Sequence, residues 1–213
     1  PKAMRASDYE RPEGQTESKT DYNALTWIKE KVAFSLMHAD ISVFTFDSDV
    51  LFFDVPDLAE IQATKPDGII FFQLASIEDE EVEKAGEFTK EYHSHQDFNA
   101  GQLFWKPSED MKRVLLKAFR AGNKSGKIDV LDQFYFSGTL RDEDDGAVWQ
   151  KAHHLSSKFD SGCFHHRPYD EEKKLKRTTF HACCHTTLSQ KLHGLNEAQE
   201  YFLEHKRERE QQL

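Results

Sequence analysis

Cysteine is scarce in this sequence: Cys163, Cys183 and Cys184 are the three among 213 residues. An odd number with two adjacent excludes the even, spaced pattern of a disulfide scaffold and leaves the redox compartment open. Long apolar runs are lacking too. No stretch approaches the roughly 18–20 residues that cross a bilayer, and no signal-type segment precedes the first expected strand, so no membrane segment is expected in the chain. Basic residues are in deficit, 28 Lys and Arg against 38 Asp and Glu, for a net charge of -10. The resulting field repels polyanions, and nucleic acid is not an expected partner. Internal repeats are absent. The first residue is Pro1 rather than Met, which leaves an upstream leader or anchor open.

What is present is aromatic and branched. Seventeen Phe and a hydrophobic content of 38% suffice for one compact, sheet-containing domain. Residues 1–21 are polar, with Pro12 and Gly14, and read as an N-terminal arm before a domain spanning 22–213. From Tyr22, the spacing of Leu25, Ile28, Val32, Leu36 and Met37 predicts an amphipathic helix with Asp21 as its cap. Strands are expected over Ile41–Phe46, Gly68–Gln73 and Phe98–Trp105. Ser108 should open a helix with Met111, Val114, Leu115 and Phe119 on one face, stopping near Gly122. A shorter helix is expected over Val130–Phe136, ended by Gly138, then an acidic loop from Arg141 to Gly146. Irregular structure is expected from Trp149 to Tyr169, and an exposed terminal helix from Ala198 to Glu210. The acid-rich run Glu78–Glu91 reads as a solvated face.

The chemistry concentrates where Ile41–Phe46 meets Asp47-Ser48-Asp49, followed by the apolar run Val50–Phe53. Ligands of open α/β sheets collect at the carboxyl ends of strands, which is where this acidic turn lies. Two carboxylates one residue apart suit a hard divalent ion, Mn²⁺ or Mg²⁺. Such an ion reverses the local charge and stabilises a departing diphosphate, so an acidic protein can still accept an anionic nucleotide donor. Asp-x-Asp alone is common in acidic proteins, and its context has to carry the reading.

That context resembles the GT-A nucleotide-diphospho-sugar transferases. The run Trp27–Val32 and then Val43-Phe44-Thr45-Phe46-Asp47-Ser48-Asp49-Val50-Leu51-Phe52 is similar to the group of plant rhamnogalacturonan xylosyltransferases and extensin arabinosyltransferases. Bacterial lipooligosaccharide galactosyltransferases are more distant relatives of that group. Three further motifs resemble the family's in order: Phe98-Asn99-Ala100-Gly101, the pair Asp132-Gln133, and the segment from His181 to Lys191. The resemblance runs from about Tyr22 to about Leu195.

The resemblance implies an α/β fold, a GT-A-like (Rossmann-like) mixed sheet flanked by helices. It also implies metal-dependent transfer of a sugar from a UDP-sugar to a glycan or glycoprotein acceptor with retention of configuration. On it, Asp47, Asp49 and His181 hold the metal, Lys29 and Lys191 meet the phosphates, and Asn99, Asp132 and Gln133 surround the sugar. Gly101 gives close backbone approach near the donor. For a eukaryotic chain the resemblance implies the Golgi lumen. Two departures stand out: Cys183 replaces the family's usual Asn, and Thr187 its usual Gly. The βαβ unit that normally precedes the metal turn is also missing, which places it upstream of Pro1 or makes the chain a truncated relative.

Three alternatives keep their place. A non-catalytic carbohydrate-binding or interaction module would retain the turn without the nucleotide subsite. A metal-dependent phosphohydrolase would use Asp47 and Asp49 to release phosphate from nucleotide sugars without an acceptor. Structural zinc on the His181–His185 segment is disfavoured because adjacent Cys183 and Cys184 cannot comfortably share one ion and no second Cys pair exists. The pairs His153-His154 and His165-His166 read as surface or packed loop residues, the latter with Cys163 as an acceptor-side option.

Overall fold

The computed structural model describes residues 26–74, 98–123, 132–156, 158–161, 177–183 and 187–212. The N-terminal arm, the acid-rich run Glu78–Glu91, Cys163 and the His165-His166 pair lie outside them. The elements are α1 (Ile28–His38), β1 (Val43–Phe46), β2 (Val50–Phe52), α2 (Leu58–Thr64), β3 (Ile70–Leu74), β4 (Phe98–Trp105), α3 (Glu109–Asn123), α4 (Asp132–Asp142), β5 (Ala152–His154), β6 (Phe159–Ser161), β7 (Thr179–His181), α5 (Leu188–Glu204) and α6 (Lys206–Gln212). Two sheets result, with strand orders β1-β4-β3-β5 and β2-β7-β6. The first joins two antiparallel pairs and one parallel pair, β3 with β5, and the second one antiparallel pair and one parallel pair, β6 with β7. Mixed sheets flanked by helices match the fold class expected from the resemblance. Among the described residues no helix is long and apolar enough to cross a membrane.

The alternation of the Phe-rich strands distributes three cores. Phe72, Leu103 and Trp105 face α1, α3 and α4, where Met37, Met111, Leu115, Phe136 and Leu140 complete the largest cluster. Phe71 and Phe104 point the other way, onto Phe159 of β6 and Ile61 of α2. Phe180 and Ala182 pack with Ala198 of α5. Along β3, Ile70 and Phe72 thus serve one cluster and Phe71 the other, as the two-residue period of a strand dictates.

Several expectations are corrected. The predicted apolar face of α1 holds only in part: Met37 is buried as expected, but Ile28 and Val32 are about half exposed, at 50% and 47%, while Trp27, Glu30 and Ala33 are buried. Trp27 sits edge-on to Phe119 of α3, and seating so large a ring sets the rotation of the helix. Gly138 does not end α4, which continues to Asp142. A helical glycine costs about 1 kcal/mol, less than burial of Leu140 beyond it returns. The segment from Trp149, expected to be irregular, contains β5 and β6, whose three-residue strands are too short to show a period. The C-terminal helix starts at Leu188, well before Ala198, because Thr187 and Gln190 form a reciprocal capping box. Helix α2, not foreseen, is capped by the Asp57 carboxylate accepting from Ala59 and Glu60 N–H. Ser108 behaves as expected, its hydroxyl accepting from Met111 N–H at 3.0 Å.

The acidic segment after α4 is a tight turn, with Asp144 and Asp145 at positive φ. Its Glu143 is buried and accepts from Arg113 Nε at 2.6 Å and Lys117 Nζ at 2.5 Å, locking α3 to the end of α4. Burial alone would raise the Glu143 carboxyl, but the bonds from Lys117 and Arg113 outweigh it and hold it below the ordinary value of 4.5. A depressed carboxyl stabilises the fold above its unfolded pKa and loses that contribution as pH falls. Glu143→Gln is therefore expected to lower the urea midpoint at pH 7, with the difference between wild type and variant shrinking as pH falls below the ordinary carboxylate range.

Candidate active site

The acidic turn is where the two sheets meet. Asp47 follows β1 of the first sheet and Asp49 precedes β2 of the second, so three residues carry the chain across. Asp47 N–H donates to Gly101 O at 2.8 Å, Val50 N–H to Asp47 O at 3.3 Å, and Ala182 N–H to Asp49 O at 3.0 Å. The turn is thereby pinned to β4 on one side and to the end of β7 on the other. The β2–β7 register sets Val50 opposite His181, which lifts the imidazole level with the aspartates.

Ligand-capable atoms of Asp47, Asp49 and His181 all lie within 4.8 Å of one another. His181 Nε2 is 3.4 Å from Asp49 Oδ1 and 3.8 Å from Asp47 Oδ2. Octahedral neighbours around an ion with bonds of about 2.1 Å stand about 3 Å apart, so a small inward movement suffices for all three to share one cation. Two carboxylates and an imidazole are donors that suit a hard-to-intermediate divalent ion. The residues fit the group. Among the described residues these three form the possible metal cluster; Cys184 and His185, on which the zinc alternative also draws, lie outside the described residues.

Two lysines flank the cluster. Lys29, in the first turn of α1, contacts Asp47 Oδ1 at 2.5 Å, and Lys191, in the first turn of α5, pairs with Asp49 Oδ2. The charges shape one another. Burial would raise the Asp49 carboxyl, but His181 and Lys191 hold it well below the usual carboxylate range. Burial would lower His181, but its polar contacts and charge interactions with Asp49 and Cys183 push it up to about 9.

Asn99 and Gly101 lie at an irregularity of β4, where the register with β3 shifts between Phe72 and Gln73. Asn99 Oδ1 accepts from Gly101 N–H at 2.7 Å. A Cβ on Gly101 would fall 1.9 Å from His181 Cε1 and 2.5 Å from Nδ1. The immediate close approach at Gly101 is thus to the imidazole. Asp132 and Gln133 open α4, as expected of a pair at a helix start. Thr187, standing where the resemblance has Gly, is the helix cap, which explains the departure: its hydroxyl accepts from Gln190 N–H at 3.2 Å.

Sequence reasoning missed two parts of this corner. Thr179 Oγ1 donates to Gln102 Oε1 at 2.6 Å, joining β7 to β4, and Gln73 reaches His181 Nδ1 at 2.7 Å. Gln73 ends an apolar run and Gln102 interrupts another. A buried glutamine in a Phe-rich strand is the one available signal, and it does not say which partner it serves.

A mixed α/β fold with Asp-x-Asp at a strand end, faced by a histidine from a late strand, is the arrangement that the resemblance to the GT-A nucleotide-sugar transferases implies. The family model described as nucleotide-diphospho-sugar transferase matches residues 4–195, and the chain belongs to that family. A solved glycosyltransferase involved in the glycosylation of the major capsid of PBCV-1 is similar to it in fold, at 13% identity and a TM-score of 0.50, over 86% of this chain and 80% of that one. No curated protein matches the sequence.

Proposed function

We propose that this transferase is metal-dependent, takes a UDP-sugar as donor, and passes the sugar with retention of configuration to a glycan or glycoprotein acceptor. The observation that carries the reading is the convergence of Asp47, Asp49 and His181 from two sheets, with a lysine on either side. Mn²⁺ or Mg²⁺ bound there would neutralise the diphosphate and stabilise it as a leaving group. The protein's part is positional: the aspartates and His181 hold the ion, and Lys29 and Lys191 exchange their carboxylate partners for phosphate oxygens. Asn99 commits its oxygen to the Gly101 N–H, so its NH₂ group is the part that can address a donor hydroxyl. Asp132 and Gln133 are assigned to the sugar by resemblance.

Calorimetric titration of UDP with and without Mn²⁺ tests the reading. Metal-dependent binding supports it, whereas no binding at millimolar UDP favours the non-catalytic module. A screen of UDP-sugars for acceptor-dependent glycoside, with its anomeric configuration determined, separates transfer from phosphohydrolysis and retention from inversion. A subsidiary prediction follows from the Lys191–Asp49 pair. Lys191→Ala removes a cation that competes with metal and later meets phosphate, so it should tighten Mn²⁺ binding without nucleotide and weaken UDP binding in saturating Mn²⁺.

A further inference from the structure

Gln73 is almost completely buried at the end of β3, in the first sheet, yet both ends of its amide are engaged with the second. Its Nε2 donates to Phe159 O of β6 at 3.0 Å, and its Oε1 lies 2.7 Å from His181 Nδ1. A carbonyl oxygen can only accept, so Phe159 O requires the NH₂ of the amide on its side. The opposite amide orientation would set two oxygens face to face. The oxygen of Gln73 must then face the imidazole, and an oxygen of that kind only accepts. His181 Nδ1 therefore carries a proton, and Nε2 is the nitrogen turned toward Asp47 and Asp49, from which it stands 3.8 and 3.4 Å, so that a cation bound there takes the place of any Nε2 proton. Gly101 closes the third side of the ring, where a Cβ has no room.

We propose that Gln73 is the positioning residue of the cation site: anchored by Phe159 O, it accepts the Nδ1–H of His181, fixes the tautomer and the ring plane, and so presents Nε2 as a metal ligand. Partners of this kind orient ligating histidines in metal sites generally, and their loss weakens metal binding about 10- to 100-fold. The inference rests on the metal reading of the site given above. It goes beyond that reading by giving a function to a residue that touches neither metal nor donor.

The test compares Gln73→Met, which keeps the length and removes the acceptor, with Gln73→Glu, which keeps an acceptor and loses the donor to Phe159. Mn²⁺ uptake is read from the electron paramagnetic resonance of the free ion. The His181 ring proton is followed by nitrogen-15 NMR of metal-free protein. Gln73→Met should weaken Mn²⁺ binding about 10- to 100-fold and lose the solvent protection of the Nδ1 proton, while Gln73→Glu retains both. Wild-type behaviour of Gln73→Met overturns the inference. So does a Gln73→Glu variant that loses as much as Gln73→Met, which would make the amide a clamp on Phe159 alone. Failure of the underlying metal reading is distinguishable, because in that case the wild type itself takes up no Mn²⁺, and the positioning role falls with it.

Discussion

Asp49→Ala is expected to abolish the Mn²⁺-dependent component of UDP binding, a loss of about 100-fold or more, since it removes a direct ligand where even indirect partners are worth 10- to 100-fold. Asp49 is the hub of the corner: its carboxylate pairs with Lys191 through one oxygen and faces His181 through the other, and its carbonyl accepts from Ala182 N–H. Alanine keeps the backbone bond and deletes the anion, leaving Lys191 and His181 near each other without the charge between them. The main-chain bonds that pin the turn do not involve the deleted group, so the fold should persist with a modestly lower melting temperature. Calorimetry with and without Mn²⁺ reads the binding loss, and circular dichroism reads the fold. Undiminished metal-dependent binding in a folded variant would remove the turn from the mechanism.

Gly101→Ala should be nearly as damaging despite adding one methyl group. The new Cβ would lie 1.9 Å from His181 Cε1, 2.5 Å from its Nδ1 and 2.8 Å from Asn99 Oδ1. Real contacts of that kind do not occur, so the ring or the strand must move. The ring is held from behind by Gln73 and packed among buried neighbours, which leaves no inexpensive direction. Overpacking of this sort costs about 1–3 kcal/mol, and displacing a ligand by about 1 Å can lower turnover about 100-fold. Urea denaturation and initial-rate measurements on the same preparation would show both effects. A variant of wild-type stability and activity would mean that His181 is free to shift without consequence.

The parts of the fold that the sequence displays are those with long periods or specific local chemistry. Phe98–Trp105 and Ser108 with its helix stand where the pattern puts them, because an eight-residue apolar run and a capping hydroxyl each satisfy their own backbone requirements. The three-residue strands β5, β6 and β7 were opaque, since their stability comes from partners distant in the chain. Helix α1 shows a subtler limit: Met37 is buried as its spacing suggests, but Ile28 and Val32 of the same face are half exposed, while Trp27, outside the pattern, is buried against Phe119. For the site, the aspartates and His181 were legible through motif order, and the sheets bring them together. Gln73 and the Thr179–Gln102 bond were not, because a glutamine's role is defined by what stands across a sheet boundary, and nothing in the local sequence encodes it.

The most direct test of the whole account is anomalous diffraction at the manganese edge from crystals soaked with Mn²⁺ and UDP. A peak within bonding distance of an Asp47 oxygen, an Asp49 oxygen and His181 Nε2, with the diphosphate on its open side, is the predicted result. A diphosphate bound elsewhere, or no manganese at that corner with His181 turned from the aspartates, would contradict it.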